Sequence, residues 1–421
     1  MSTRLKNPAV INRFLKIPVV PGFLIALFMF RLADGVLGYI FPIVVEQELN
    51  SNLYMGLIMA LSSITGLVCD FTFPTLISSK NWKQLLVVSI LLALLFPLTT
   101  YLGQIFGLVI FFLLATIIWG IYFEFNIFSV QDYIIYQDKK RNFSKDWGLI
   151  GILVGMVEVV APIIGASLLV ISGPIYFAVV SIIFLIALYI GKSLDTDKSL
   201  DEVNKKVGKT KELIKLIKEV KMWELMAVRV WHILIMSFIL QSIFATYLIF
   251  GGLFGQEITG GKENGWVIMF LYAFPSFVAG ILLTKFIIKK RKKLISTALL
   301  ITGGVIMSLI GFVGENKIII GVAIFISSFM FTSAYILNNA VFSDIGAKLK
   351  KESNHLFGML NATGSMSYIV VPLLLGMISD LFGYYMAFSF MGLIAIVTGV
   401  ALFVFTPKKI KISETELNHI K

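Results

Sequence analysis

The amino-acid sequence predicts an all-α integral membrane protein, with twelve transmembrane helices arranged as two pseudo-symmetric six-helix bundles. Three observations support this prediction: a strongly apolar composition, twelve apolar runs of membrane-spanning length, and a glycine and proline pattern that repeats at half the chain length. The composition indicates that the protein lies in a lipid bilayer. The runs indicate where the helices are, and the repeat indicates how the helices are grouped.

The composition excludes an ordinary soluble protein. The 421 residues are 58% hydrophobic and only 14% charged, whereas soluble chains carry roughly 25% charged residues. The net charge of +12 does not indicate a nucleic-acid partner, because the basic residues flank apolar runs and so face lipid headgroups. A single cysteine, Cys69, excludes an intrachain disulfide, and three scattered histidines predict neither a metal site nor a cofactor.

Twelve apolar runs are long enough to cross roughly 30 Å of hydrocarbon. The first follows a basic N-terminus but is too long for the apolar core of a cleaved signal peptide, so it is expected to be an uncleaved span. The runs are 21–45, 53–77, 84–101, 105–130, 147–171, 174–191, 224–250, 265–288, 294–313, 318–343, 356–379 and 384–405.

Basic residues alternate between the intervals that separate these spans. Of the 36 Lys and Arg residues, 32 lie in alternate intervals and both tails. The other four are Lys262 and Lys317 on the opposite side, and Arg31 and Arg229 within spans. Because positive residues are retained on the cytosolic side, we expect both termini to be cytosolic and the protein to lie in the plasma membrane.

A pattern of small residues and proline repeats at half the chain length. Span 5 contains Gly148 and Pro162, and span 11 contains Gly358 and Pro372 at the same spacing, while the glycine-containing ends of spans 2 and 8 also correspond. Matches between spans six apart indicate two homologous six-helix halves. We therefore predict an N-terminal bundle at 1–191, a cytosolic linker at 192–222 and a C-terminal bundle at 223–421.

The charged linker contains apolar residues at helical spacing: Leu213, Leu216, Ile217 and Val220. One interpretation is a basic amphipathic helix on the inner leaflet of the membrane. The other is a solvated helix that only tethers the two halves.

Twelve spans, cytosolic termini, a long central loop and a half-length repeat together resemble the major facilitator superfamily over essentially the whole chain. Gly66 and Asp70 match part of the signature that follows span 2 in that superfamily, although Phe-Thr-Phe-Pro stands where a basic residue and a glycine belong. The resemblance implies that Asp70 belongs to a cytosolic gate.

Span 5 is similar to the antiporter signature of the superfamily, with Gly148, Pro162 and Gly165 retained. This similarity implies exchange or export, and the alternative is that the small residues simply allow close helix packing. Thr116 occupies the position in span 4 where many proton-coupled drug exporters have an arginine, so a standard multidrug exporter is not favoured.

Ionisable side chains within the spans cost about 2.5–3.5 kcal/mol each on insertion scales, and so indicate function. Arg31 and Asp34 are three residues apart and share one face of span 1. They form either a self-neutralising pair or a site in which Arg31 binds an anionic substrate group and Asp34 binds a proton.

Two glutamates extend this set. Glu158 lies in the middle of span 5, and Glu124 lies nearer the cytosolic end of span 4, where a gate role or exposure to water is equally compatible. A carboxyl group in low-dielectric surroundings can bind and release protons near neutral pH. Glu158 is therefore the first candidate for proton coupling, Asp34 the second and Glu124 the third. The candidates for hydrogen bonds to substrate are Asn126, Gln241, Asn338 and Asn339.

These features predict a secondary active transporter of a small solute, coupled to protons or another ion, that works as a monomer by alternating access between two bundles. The sequence contains no phosphate-binding loop of the ATPase type, so ATP drive is not predicted. The alternatives are an integral membrane enzyme acting on lipid-linked substrates and a membrane sensor that does not transport. Short external loops without clustered histidines or carboxylates make the enzyme less favoured.

Overall fold

The computed structural model describes residues 19–76, 81–137, 143–171, 175–194, 212–285, 291–314, 316–349 and 353–406. All secondary structure in these ranges is helical. The α-helices are α1 Val19–Leu49, α2 Asn52–Leu76, α3 Trp82–Ala93, α4 Leu95–Phe106, α5 Val109–Gln137, α6 Phe143–Val170, α7 Ile175–Ser193, α8 Glu212–Thr259, α9 Trp266–Lys285, α10 Lys292–Ser308, α11 Lys317–Leu349 and α12 Ser353–Phe405.

The helices overlap all twelve predicted spans but do not correspond to them one to one. Span 3 is divided between α3 and α4, and spans 11 and 12 both lie in α12, where Gly383 leaves the helical conformation with φ 81° and ψ 169°. Within the described ranges, ten helical segments are long and apolar enough to cross a membrane. The all-helical membrane fold is therefore confirmed, while the count of twelve spans stays a prediction.

The surfaces of these helices are strongly apolar. Phe312, Ile318 and Val397 are 73%, 79% and 69% exposed, and many other large apolar side chains are exposed along the helices. A soluble monomer rarely exposes apolar patches of this extent. In lipid the same surface is favourable, since each helix satisfies its own backbone hydrogen bonds.

The linker prediction is only partly covered, because residues 195–211 lie outside the described ranges. The segment with apolar helical spacing is helical, since α8 begins at Glu212 and continues without a break to Thr259. It is therefore a direct extension of predicted span 7 rather than a separate short helix.

The helices form two compact units, of which the first contains residues 1–38 and 68–207. In this unit α1 packs against α5 through aromatic side chains: Phe23 stacks on Tyr133 with ring centroids 3.6 Å apart, and Phe30 meets the edge of Tyr122 at 5.8 Å. These pairs show that α1 and α5 run antiparallel. Gly35 allows α1 to approach α6, because a Cβ there would lie 2.9 Å from the Cβ of Ala161.

The second unit contains residues 39–67 and 208–421, so it includes the end of α1 and most of α2. Helix α8 packs against α11 and α12 through a buried apolar cluster: Met226, Val230, Ile233, Val341, Phe342, Ile345, Leu356 and Met359. Helix α2 approaches α12 very closely, since a Cβ on Gly56 would lie 2.1 Å from the carbonyl oxygen of Pro372. The predicted division at 1–191, 192–222 and 223–421 concerns duplication, which these units do not test, and it stays a prediction.

A candidate ionisable site in the first unit

Asp34 lies at the centre of a buried network between α1 and α5. The residue is only 8% exposed, and its carboxylate accepts a hydrogen bond of 2.7 Å from the hydroxyl of Tyr122. The side chain of Trp119 also hydrogen-bonds to Asp34. Trp119 and Tyr122 are three residues apart on α5, so one helical face supplies both donors. A buried carboxyl group held by two donors has a defined position.

The strongest electrostatic partner of Arg31 is Asp34, and Glu124 and Glu158 interact with it more weakly. Its guanidinium carbon lies 4.8 Å from the ring centroid of Phe123, a cation–π geometry that stabilises a desolvated cation. The buried Nε atom of Arg31 has no hydrogen-bond partner. The predicted pair is therefore the core of a larger charged cluster, in which one guanidinium interacts with three carboxyl groups.

Glu158 brings α6 into this cluster. Near Glu158, the most exposed side chains of α6 belong to Ile152 at 55%, Met156 at 51% and Val160 at 36%. These three define a lipid-facing stripe, and Glu158 is two residues from both Met156 and Val160, which places it on the opposite side of the helix. The Glu158 side chain is partly exposed. Seven residues earlier on the same face of α6, a Cβ on Gly151 would meet no atom within 4 Å.

Glu124 and Asn126 lie two residues apart on α5 but have different surroundings. Glu124 is half-buried and interacts with Arg31. Asn126 is fully buried, and neither its amide nitrogen nor its amide oxygen has a hydrogen-bond partner. Helical spacing places Asn126 on the same face as Trp119 and Tyr122, next to the donors of Asp34. A fully buried amide without partners costs about 1–3 kcal/mol in folding free energy, which indicates a functional reason for its presence.

The predicted substrate-binding residues of the second half lie in the second unit. Gln241 on α8 is half-buried, and its Nε2 donates to the hydroxyl of Tyr335 on α11 at 3.2 Å. Asn338 is buried and donates to Ser237 Oγ at 2.8 Å and to the Ile233 carbonyl oxygen at 3.4 Å. Its amide thus connects α11 to α8. Asn339, the next residue on α11, is half-buried.

Hydroxyl groups that the sequence did not single out lie close to these residues. Ser276 Oγ on α9 lies 3.0 Å from Ser328 Oγ and 2.7 Å from Thr332 Oγ1 on α11. Tyr247 and Tyr272 stack nearby with ring centroids 4.1 Å apart. Serine and threonine are common in membrane helices, so no sequence signal distinguishes these from ordinary packing residues.

The structure does not test the predicted gate residue, Asp70. Asp70 lies on α2, but its side chain is outside the part of the chain that the structure describes. Among the described residues, no group of three His, Cys, Asp or Glu has a metal-binding arrangement.

Polytopic membrane transporters are one class of protein with an all-helical membrane fold and ionisable side chains inside a helical unit. The chain belongs to the Major Facilitator Superfamily, whose sequence profile matches residues 23–349. This match confirms the resemblance seen in the sequence. The superfamily is one of transporters that bind small-molecule substrates, rather than one of enzymes.

Solved structures agree with this assignment. The crystal structure of the nucleoside transporter NupG superposes with a TM-score of 0.74 and 10% sequence identity, covering 92% of this chain and 99% of that chain. The human organic anion transporter MFSD10 (TETRAN) superposes with a TM-score of 0.63 and 14% identity, covering 91% and 98%. At these identities the similarity is one of fold. A comparison with curated protein sequences found no significant match to this chain.

Proposed function

We propose that the protein is a proton-coupled secondary active transporter of a small solute, with Glu158 as the group that binds and releases the coupling proton. Asp34 is the second coupling carboxyl group and Glu124 the third. The transporter is proposed to work as a monomer by alternating access, with both termini in the cytosol and the protein in the plasma membrane. NupG and MFSD10 are named for different substrates. Their similarity to this chain therefore does not indicate which solute it transports.

The observation that carries this proposal is the environment of Glu158. Glu158 is a partly exposed residue on the side of α6 opposite the lipid-facing stripe. It also interacts with the Arg31 guanidinium. A coupling acid needs access to water in at least one state and a charge partner whose interaction changes on protonation. The interaction with Arg31 supports the second of these requirements at Glu158.

Arg31 and Asn126 are the substrate-binding residues proposed in the first unit. Asn126 has two unused hydrogen-bonding groups, and Arg31 has an unused Nε donor. Gln241, Asn338 and Asn339 are the corresponding proposals in the second unit, where the described part of the chain gives Gln241 one hydrogen bond, of 3.2 Å to Tyr335. Polar groups without a partner, such as the amide of Asn126, can form hydrogen bonds to substrate at small cost to the folded protein.

The transport proposal is tested with purified protein in proteoliposomes, by screening a panel of radiolabelled solutes for accumulation driven by a pH gradient. For a transported solute, Glu158→Gln should abolish gradient-driven accumulation. Exchange of labelled for unlabelled solute should persist, because the amide resembles the protonated acid. Full gradient-driven transport by both Glu158→Gln and Asp34→Asn would exclude these carboxyl groups as coupling sites and leave Glu124.

The orientation is tested separately with reporter fusions. Fusions near positions 100, 172 and 315 should report the external side, and those near 140, 205 and 290 the cytosol, as the charge bias requires. An inverted pattern, or an odd number of crossings, would contradict the proposed arrangement of two six-helix halves.

A further inference from the structure

We propose that a phospholipid with an anionic headgroup binds in a lipid-facing groove between α9 and α11, with its phosphate at Lys317 and one acyl chain along the groove. The groove lies in the second unit, and its occupant is independent of the coupling role proposed for Glu158. Three features carry the assignment: the apolar lining of the groove, its depth in the membrane and the positive charge at one end.

The lining of the groove is apolar and open to the surroundings of the protein. The groove has a volume of about 470 Å³, and its apolar side chains come from one residue of α9 and four of α11: Leu271, Ile318, Val322, Phe325 and Ile326. The four side chains of α11 are exposed, and their helical spacing puts them on one face. In a bilayer such a face contacts acyl chains, so hydrocarbon suits the groove.

Gly321 leaves room in the groove for a chain. It lines the groove, and a Cβ at this position would lie 3.3 Å from Leu271 Cδ1, so a larger side chain would occupy the space between the helices. Further along both helices, Ser276 Oγ and Ser328 Oγ are 3.0 Å apart. These contacts follow the same order along α9 and α11. The two helices therefore run parallel and begin at the same membrane surface.

The groove has the depth of one leaflet of a bilayer. It extends along α11 from Lys317 to Ile326, which is about 13 Å at the rise of an α-helix, and half of the hydrocarbon thickness is roughly 15 Å. Trp266 begins the neighbouring helix α9, and tryptophan is enriched where a span meets the headgroups. A lipid with its headgroup at the start of α11 would therefore place an acyl chain along the groove.

The headgroup end of the groove is positively charged. Lys317 is the first residue of α11, and the first turn of this helix contains no acidic residue. The N-terminus of a helix carries the positive end of the helix dipole, where an anion is favourable and a cation is not. Within the described part of the chain, no carboxylate forms an ion pair with Lys317. An anion at this position would be stabilised by both the ammonium group and the helix dipole.

A phosphate attached to acyl chains fits both ends of the groove. A lysine near the end of a span extends its ammonium group to the level of the headgroups, and helix N-termini bind phosphate. A zwitterionic headgroup also contains a phosphate, but it brings a second cation close to Lys317. A headgroup with a net negative charge is therefore favoured over a zwitterionic one.

The test uses purified full-length protein in detergent and two lipids with identical acyl chains, anionic phosphatidylglycerol and zwitterionic phosphatidylcholine. Native mass spectrometry measures lipid binding at matched concentrations, and thermal unfolding measures stabilisation. The first phosphatidylglycerol should bind about fivefold more tightly than the first phosphatidylcholine. Glycerophosphoglycerol, which is the same headgroup without acyl chains, should not stabilise the protein because it cannot fill the groove.

Charge variants test the headgroup end. Lys317→Gln should weaken binding of phosphatidylglycerol about fivefold and leave phosphatidylcholine unchanged, whereas Lys317→Arg should retain the preference. The matched control is Lys262→Gln, because Lys262 is exposed, donates to Gln47 Oε1 at 3.2 Å and does not line the groove. This control should retain the preference. Glu315→Gln, which removes the acid nearest to Lys317 in the sequence, should leave phosphatidylglycerol binding equal or stronger.

Variants of the lining test the acyl-chain end. Gly321→Leu fills the groove and should remove the tight binding of the first phosphatidylglycerol. Val322→Trp fills it from an exposed position, so it should do the same in a protein whose helix packing is unchanged. Thermal unfolding without lipid verifies that each variant is folded.

Four results would each overturn the proposal. They are equal binding of the two lipids by the unmodified protein, a preference that survives Lys317→Gln or is lost equally in Lys262→Gln, weaker binding in Glu315→Gln, and tight phosphatidylglycerol binding by folded Gly321→Leu and Val322→Trp variants. Stabilisation by glycerophosphoglycerol equal to that by the lipid would also overturn it, because the groove would then bind an anion without an acyl chain.

Discussion

The carboxylate of Asp380 accepts a hydrogen bond of 2.7 Å from the backbone N–H of Asn52, the first residue of α2. Its other oxygen accepts from the backbone N–H of Leu53 at 2.9 Å and from Ser51 Oγ at 2.7 Å. The hydroxyl of Tyr384 donates to the side-chain oxygen of Asn52 at 2.7 Å. Asp380 thus caps the helix that begins more than 300 residues earlier in the chain, and its negative charge suits the positive end of that helix.

Replacing Asp380 should loosen this junction within the second unit. Asp380→Ala removes the acceptor for two backbone amides and should cost about 1 kcal/mol, the usual effect of losing an N-terminal cap. The measurement is the thermal unfolding temperature of the purified protein in detergent. Ser379→Ala is the matched control, because the neighbouring hydroxyl is buried and has no hydrogen-bond partner. An equal loss in both variants would show that the cap contributes nothing specific.

The close approach of α2 and α12 predicts a steric effect at Gly56. A Cβ there would lie 2.1 Å from the Pro372 carbonyl oxygen, and a backbone atom in a packed helix cannot move aside cheaply. Gly56→Ala should therefore destabilise the protein by about 1–3 kcal/mol. At Gly151 a Cβ meets nothing within 4 Å, so Gly151→Ala should be neutral or slightly stabilising. Thermal unfolding of both variants measures the contrast, and equal stability would contradict the packing of α2 on α12.

Much of the helical framework could be predicted from the sequence, because a bilayer requires long apolar helices. Every described α-helix overlaps at least one of the predicted runs, and the spacing of Arg31 and Asp34 placed both on one face of α1. The prediction was less accurate where helices continue or break locally. Helix α8 begins at Glu212 because the charged segment before span 7 is compatible with a helix, and Gly383 alone separates the two spans of α12.

The tertiary partners could not be predicted in the same way. Tyr122 and Asp34 are 88 residues apart, and their contact depends on the rotation of α5 against α1. The apolar periodicity of a helix that is hydrophobic on all sides does not define that rotation. The cap formed by Asp380 depends in the same way on how α12 meets α2. The sequence does not distinguish the amides of Asn126 and Asn338. In the structure, the Asn126 amide has no hydrogen-bond partner, whereas the Asn338 amide connects α11 to α8.

The hydrogen bond from Tyr122 to Asp34 predicts a specific effect on the charged cluster. Tyr122→Phe keeps the ring that packs on Phe30 but removes the 2.7 Å contact to Asp34, so the carboxyl group should be less well fixed. The loss should be about 1–3 kcal/mol in stability, accompanied by a shifted pH profile of solute binding.

The control is Tyr176→Phe, which removes a buried hydroxyl that donates to Gln104 Oε1 at 2.5 Å, away from the ionisable residues. Both variants should lose stability in thermal unfolding, but only Tyr122→Phe should change the pH profile. A profile shifted equally by both would mean that the effect is general loosening of the first unit.

The two buried asparagines predict opposite effects of the same substitution. Asn126 has a fully buried amide without partners, so Asn126→Leu removes an unsatisfied polar group and should stabilise the protein by about 1–3 kcal/mol. Asn338 donates to Ser237 and Ile233 across two helices, so Asn338→Leu should destabilise it by a similar amount. Leucine has the same branching and the same number of side-chain heavy atoms as asparagine, so it is the apolar residue closest to asparagine in shape. If Asn126 serves the ligand, the stabilised variant should also bind solute at least tenfold more weakly. Thermal unfolding and ligand binding measured on the same preparations test both parts, and a destabilised Asn126→Leu variant would show that its amide has a structural partner.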